Sequence, residues 1–245
     1  SSGGLTNLWC RLDASGKPPA SEYVFGADVS AGTGGEWSSY SALEGIDKKT
    51  GEHVFEWRSN KLDPIRFAEL AVWVCKWFYN AYLVPEVNGG FGRLFVNTAV
   101  RDLKYGNVFK QSKKEVGWRE VTDKIGYVNN DRGLELLKNA EAVLRRKRVN
   151  LNSSIVSNEI SRYFMKNGRL VHSAAESTED GAGMGLAHGD AAIAYCCAVF
   201  GVDDIPITPP EEVKSDAPVG SFLWRRQQYE KLIRTKEQKS YWDER

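Results

Sequence analysis

Apolar residues in the first third of the chain come in short runs separated by turn residues. Three such runs, Glu22–Ser30, Ser38–Ile46 and His53–Ser59, predict strands. The segment Asp47–Gly51 (Asp-Lys-Lys-Thr-Gly) lies between the second and third runs and predicts a hairpin turn. A fourth strand is predicted at Tyr82–Val87. The first three strands are therefore expected to be antiparallel.

Helices are predicted where apolar residues recur every three or four positions. Asp63 is a suitable cap for a helix that begins at Pro64 and runs to about Tyr79. A second helix should follow the Gly-rich turn Asn88–Gly92. Further on, the pattern predicts an amphipathic helix after Asn129–Asp131, a helix over Ser153–Phe164, a short strand over Arg169–His172 and a last helix over His188–Phe200. This order predicts an α/β fold in which a mixed sheet carries helices on both faces.

The two ends of the chain differ in composition from this central part. Residues 1–21 are polar and rich in Gly, Ser and Pro, so we expect a lead-in or interdomain linker. Residues 22–202 form the predicted domain, and residues 203–245 a tail with a basic helix over Ser221–Arg245. Because no apolar run reaches the ~20 residues of a membrane-spanning helix, no membrane partner is expected.

Three acidic residues lie where predicted buried elements begin or end. Asp28 lies near the end of the first strand, Glu86 near the end of the fourth, and Asp190 opens the last helix. A carboxylate at the end of a buried strand is unfavourable unless its charge is compensated. If the three converge, their oxygen ligands would select Mg²⁺ or Mn²⁺ and would suit phosphodiester hydrolysis. Each acid also has an ordinary alternative: a turn cap, a solvent-facing strand end, or a partner of the helix dipole.

Three neighbouring residues are candidates for auxiliary roles. Glu36, at the end of the Gly-rich turn after Asp28, is a possible extra ligand. Asn88 is placed to hydrogen-bond a ligating carboxylate, and His188 to orient a phosphate or leaving group. Solvated positions are the alternative for Glu36 and His188.

The distribution of charge indicates where nucleic acid would bind. Since the net charge is only +1, a nucleic-acid surface must come from local clusters. Basic candidates occur at Lys110, Lys113, Lys114, Arg119, Lys124, Arg145, Arg146, Lys147 and Arg148. Such groups bind phosphates without reading sequence, although the last four would also serve as a solvated helix end. No Gly-x-x-x-x-Gly-Lys-Ser/Thr loop occurs, which excludes a P-loop ATPase within this chain.

A series of short motifs runs through the chain. It comprises Phe25–Ser38 (FGADVSAGTGGEWS), Phe55–Arg58 (FEWR), Asp63-Pro64, Phe67–Leu70 (FAEL), Leu83–Asn88 (LVPEVN), Gly117–Arg119 (GWR) and Ala187–Asp190 (AHGD). In this order the motifs resemble those of the large terminase subunits of tailed bacteriophages, and the resemblance covers roughly residues 22–200.

The resemblance implies a nuclease domain of the RNase H-like, RuvC-type fold, with a mixed five-stranded sheet flanked by helices. Such domains cut concatemeric double-stranded viral DNA during genome packaging and use Mg²⁺ or Mn²⁺. The acidic triad of the family falls on Asp28, Glu86 and Asp190, which would hold one or two ions. The last family motif often reads His-Asp-Asp, whereas Gly189 is the middle residue here, so one possible ligand is missing.

The resemblance also implies partners and a location. A terminase ATPase domain precedes the nuclease in this family, so we expect the chain to be a C-terminal piece. Expected partners are double-stranded DNA, that motor domain, the portal protein and the small terminase subunit, in the host bacterial cytoplasm during virion assembly. Two alternatives remain open. One is a catalytically silent module that docks the motor to the portal, and the other is an actin-like or sugar-kinase-type ATP-binding domain.

Overall fold

The computed structural model describes residues 5–35, 38–111, 124–127, 134–166, 169–173 and 189–204. They belong to the first of two units, Ser1–Ile207 and Thr208–Arg245. The helix predicted over Ser221–Arg245 lies outside the described residues. No helix in the described part of the chain has the length and apolar character needed to cross a bilayer.

A five-stranded mixed sheet forms the centre of the first unit. Its strands are β1 (Leu5–Leu8), β2 (Tyr23–Asp28), β3 (Ser41–Asp47), β4 (His53–Ser59) and β5 (Tyr82–Pro85), in the spatial order β1-β4-β3-β2-β5. The pairs β1–β4, β4–β3 and β3–β2 are antiparallel, whereas β2 and β5 run parallel. The predicted antiparallel arrangement of β2, β3 and β4 is confirmed.

Residues 1–21 were expected to be a lead-in or linker, but Leu5–Leu8 form strand β1 of the sheet. Leu5–Leu8 pair with Phe55–Arg58 along the edge of the sheet, and Leu8 packs against the apolar core. A strand of four residues is too short to show a clear alternation of apolar and polar positions. Its place in the fold depends mainly on backbone hydrogen bonds to β4, which composition does not reveal.

Helix α1 (Pro64–Trp77) begins as predicted, because the side chain of Asp63 accepts hydrogen bonds from the amides of Ile65 and Arg66. Helix α2 (Gly89–Asn97) begins within the predicted Gly-rich turn and continues into a π-helical turn, Thr98–Asp102. Together α1, α2 and this turn cover one face of the sheet through a shared apolar core.

Beyond Leu103, the described residues include three helices and two small antiparallel strand pairs. The strands β6 (Lys110–Gln111) and β7 (Lys124–Ile125) pair with each other, as do β8 (Tyr163–Lys166) and β9 (Arg169–His172). The helices are α3 (Leu134–Arg145), α4 (Ser154–Ile160) and α5 (Asp190–Asp204). The helix predicted over Ser153–Phe164 is therefore too long. Its last residues, Tyr163 and Phe164, are typical of strands and pair with β9 instead.

Alternation along β2 sends its side chains into two separate cores. Tyr23 and Phe25 pack toward α1, while Val24 packs toward α5. Gly26 faces α5, and a Cβ atom there would clash with the backbone of Ala194 and Ala198. The absence of a side chain at this position lets α5 lie directly on the sheet, so that its first turn reaches the end of β2.

Candidate active site

Three carboxylates come together at one edge of the sheet. Asp28 is the last residue of β2, and Glu86 follows the last residue of the parallel neighbour β5, with Ala27 opposite Pro85. The amide of Glu86 donates to the carbonyl oxygen of Ala27 at 2.8 Å, which fixes the two strand ends side by side. Asp190 reaches the same place from the first turn of α5.

The three acids line one cavity of about 380 Å³. Its wall also includes the segment after β2, the segment before β3 and the side chain of Phe91 on α2. Asp28, Glu86 and Asp190 are each half-buried, so their carboxylates are drawn out of bulk water while still facing an opening. A cavity of this kind admits a polar ligand to the acids.

Burial and neighbouring charges raise the pKa of two of these acids, Asp28 and Asp190. Burial raises the pKa of Asp28 well above its usual range, and the charges of Glu86 and Asp190 raise it further. Burial also raises the pKa of Asp190 to about 7, against the opposing effects of the Tyr40 amide and the Arg58 charge. A hydrogen bond between the carboxyl groups of Asp28 and Glu86 adds to the raised pKa of Asp28.

This donor set fits a hard divalent cation, because it offers carboxylate oxygens that repel one another without one. Among the described residues no three acids, histidines or cysteines already stand in a geometry that would hold a metal ion. Asp28 and Glu86 contact each other, and Oδ2 of Asp190 accepts a hydrogen bond from the Tyr40 amide at 2.7 Å. The acids converge on one cavity without forming a complete coordination shell.

The auxiliary candidates have different outcomes. Nδ2 of Asn88 donates to Oε1 of Glu86 at 3.0 Å, which is the contact expected of a residue that orients a carboxylate. Glu36 and His188 lie outside the described residues. The ring and hydroxyl of Tyr163 occupy the space beside Gly189, so a Cβ atom at residue 189 would clash with them. A longer side chain at residue 189 would need Tyr163 to move.

The basic candidates lie partly on the described surface. Lys110 is the first residue of β6, and the last turn of α3 with the residues after it presents Arg145, Arg146, Lys147 and Arg148, all exposed. Arg145 forms an ion pair with Glu141 at 2.8 Å, which compensates part of its charge. Lys113, Lys114 and Arg119 lie outside the described residues, and only the backbone of Lys124, in β7, is described.

Sequence reasoning missed two charged residues beside the acids. Arg58 on β4 and Glu159 on α4 approach each other at 3.6 Å, and the Arg58 guanidinium lies 4.2 Å from the centre of the Tyr40 ring. Both lie close to the start of α5. The available signal was a charged residue inside a strand that is otherwise buried, as Arg58 is in β4.

Comparisons with known proteins give a likeness in structure but not in sequence. No protein-family model matches the sequence, and no curated protein matches it. The large terminase nuclease from thermophilic phage G20c, solved with bound magnesium, is similar in structure with a TM-score of 0.54 and 15% identity, over 80% of this chain and 86% of that chain. The same nuclease with bound cobalt gives a TM-score of 0.53 at 14% identity.

A nuclease domain from a second phage is also similar in structure. The large terminase nuclease domain of Thermus phage P74-26 is similar with a TM-score of 0.50 and 15% identity, over 74% of this chain and 80% of that chain. The predicted RNase H-like fold is confirmed, as is the resemblance to large terminase nucleases at the level of the fold.

Proposed function

We propose that this chain is a divalent-metal-dependent endonuclease that cuts concatemeric double-stranded DNA during packaging of a viral genome. The observation that carries the proposal is the convergence of Asp28, Glu86 and Asp190 on one cavity, from three separate elements. The fold is that of solved terminase nuclease domains, one of which binds magnesium and cobalt. Burying mutually repelling acids is unfavourable, which favours a catalytic site over a silent docking module.

Asp28, Glu86 and Asp190 would hold one or two ions of Mg²⁺ or Mn²⁺. The bound metal would supply activation of the attacking water and stabilisation of the leaving 3′ oxygen, leaving a 5′ phosphate and a 3′ hydroxyl. Asn88 would hold Glu86 in place through their hydrogen bond, and the Tyr40 amide would hold Asp190. Glu36 and His188, by their position in the sequence, are further candidates for this site.

DNA would be held through its phosphates, because packaging requires cleavage that tolerates many sequences. The exposed residues Arg145–Arg148 and Lys110 are the described candidates, and the sequence adds Lys113, Lys114, Arg119 and Lys124. The terminase ATPase domain, the portal protein and the small terminase subunit complete the proposed set of partners. The reaction would take place in the cytoplasm of the bacterial host.

The test is cleavage of supercoiled plasmid in Mn²⁺, Mg²⁺, Ca²⁺ or EDTA. Asp28→Asn, Glu86→Gln and Asp190→Asn should each abolish nicking and linearisation that depend on Mn²⁺ or Mg²⁺. Glu69→Gln is the matched control, since Glu69 is an exposed acid on α1 that pairs only at the surface with Arg66. Wild-type nicking by all three variants would overturn the assignment.

A further inference from the structure

The first turn of α5, which carries Asp190, is held by groups from other elements. The helix begins with a hydrogen bond from the Ile193 amide to the Gly189 carbonyl, and glycine has no side chain to cap the free amides of this turn. The missing cap is supplied from α4, where Oε2 of Glu159 accepts a hydrogen bond from the Ala192 amide at 2.9 Å.

Arg58 links this cap to the other side of Asp190. Its Nη1 lies 3.6 Å from Oε1 of Glu159, so the two oxygens of Glu159 contact different elements. The Arg58 guanidinium stacks over the ring of Tyr40. The amide of Tyr40 in turn donates to Oδ2 of Asp190 at 2.7 Å. We call Tyr40, Arg58 and Glu159 the α5 clamp.

The two charged side chains of the clamp are largely shielded from solvent. The side chains of Arg58 and Glu159 are 24% and 11% exposed, which limits screening of their charges by solvent. Arg58 contacts both the carboxylate of Glu159 and the ring of Tyr40. An arginine can do both tasks at once, because its flat guanidinium stacks on a ring while its nitrogens face carboxylates.

We propose that Arg58 and Glu159 are positioning residues that orient the Asp190 carboxylate toward the cavity, an inference that rests on the proposed nuclease function. Glu159 fixes where α5 begins, and Arg58 fixes Glu159 relative to Tyr40. Neither residue lines the cavity, so they act through Asp190 rather than on the DNA or the reacting atoms. Their loss should weaken binding of the divalent ion more than it slows cleavage at saturating ion.

The experiment is an Mn²⁺ titration of plasmid nicking by wild type, Arg58→Gln and Glu159→Ala, with Mn²⁺ binding measured in parallel by calorimetry. Each variant should need about tenfold more Mn²⁺ for half-maximal nicking, since residues that orient metal ligands contribute about 10- to 100-fold to affinity or activity. Arg58→Lys and Glu159→Gln should recover part of the loss, because Lys keeps the charge and Gln keeps an oxygen for the Ala192 amide. Arg66→Gln is the matched control, as Arg66 belongs to an exposed Arg–Glu pair.

Thermal unfolding of each variant separates loss of position from loss of fold. An unchanged Mn²⁺ dependence in folded Arg58→Gln and Glu159→Ala would overturn the inference while leaving the nuclease intact. A lower plateau rate with unchanged Mn²⁺ dependence would also overturn it, because it would assign Arg58 to DNA or to the reaction itself. Absence of both Mn²⁺ binding and cleavage in wild type would instead contradict the proposed function, and the inference with it.

Discussion

Two sets of acids lie on the α5 side of the sheet, and they differ in what surrounds them. Asp28, Glu86 and Asp190 face a cavity and one another. Glu44 and Glu56 lie opposite each other on β3 and β4 and have no exposed surface. The first set is open to a ligand, whereas the second is enclosed by protein.

The enclosed pair is bonded to protein groups. Glu56 accepts hydrogen bonds from Asn7 of β1 and from Ser153, the cap of α4, so it joins three elements. Oε2 of Glu44 lies 2.8 Å from Nε2 of His53. Burial of an acid therefore does not identify a functional site in this molecule. The informative observation is a group of acids that face one another around an open space.

The largest effect on stability and nicking together is expected from Gly26→Ala, which would disturb the region between the two sets of acids. The added methyl group would push against the backbone of Ala194 and Ala198, so α5 must move off the sheet. We expect a loss of about 3 kcal/mol in the free energy of unfolding. A shift of about 1 Å in Asp190 would also reduce plasmid nicking about 100-fold.

Urea unfolding and nicking assays check this prediction. Gly106→Ala is the control, because a Cβ atom there meets no other atom within 4 Å. Equal stability of the two variants would contradict the close packing of α5 on β2.

Glu56→Ala should affect stability without affecting the chemistry. It removes the acceptor for Asn7 and Ser153, and leaving such buried groups unsatisfied costs about 2 kcal/mol in the free energy of unfolding. Nicking by the folded protein should match wild type. Glu56→Gln keeps an acceptor oxygen and should lose less stability, so equal losses in the two variants would contradict the hydrogen-bonding role.

The pH dependence of stability should report on Glu44. Burial raises the pKa of Glu44 well above its usual range, and the charges of Glu56 and Glu159 raise it further while Arg58 opposes them. Folded Glu44 thus keeps its proton at a pH where the unfolded chain has lost it. Its contribution to the free energy of unfolding is present below pH 4.5, the ordinary pKa of a glutamate, and is lost as the pH rises above that value.

Glu44→Gln removes this titrating group. As the pH rises, the free energy of unfolding of the wild type should therefore fall relative to that of the variant by at most about 1.4 kcal/mol per pH unit. His53 contributes with the opposite sign, since burial lowers its pKa to about 4, and it is present in both proteins. Urea unfolding between pH 5 and 8, written as the difference between the two proteins, measures the titration of Glu44 together with its effect on His53, which it contacts. A constant difference across this range would contradict the raised pKa.

The smallest effect is expected at the surface, away from both sets of acids. Arg146→Gln should change the free energy of unfolding by less than about 0.5 kcal/mol. If Arg146 binds a phosphate, its loss should reduce the slope of log affinity against log salt by about 1. Fluorescence anisotropy with a DNA duplex measures this slope, with Arg66→Gln as the control. Identical slopes in both variants would remove Arg146 from the DNA surface.

Local signals predicted much of the fold. The runs that became β2 to β5 alternate or end at turn residues, and the Asp63-Pro64 pair begins α1 as expected. The three acids were found because each stands where a buried element begins or ends, and the parallel pairing of β2 with β5 places two of them together.

Contacts between distant segments were less visible in the sequence. β1 depends on backbone pairing with residues about 50 positions away, and β8 depends on its partner β9 rather than on the helical pattern before it. The α5 clamp joins residues of β4 and α4 through polar contacts that no periodic pattern encodes. These features follow from tertiary packing, which overrides local propensity.

The most direct test of the proposed metal site is nicking of supercoiled plasmid in Mn²⁺ by Asp28→Asn and Glu44→Gln, compared at equal folded concentration. Both substitutions neutralise an acid on the α5 side of the sheet, but only Asp28 faces the cavity. We expect loss of nicking in Asp28→Asn and wild-type nicking in Glu44→Gln. Nicking that survives in Asp28→Asn, or that is lost equally in both folded variants, would contradict the proposed metal site.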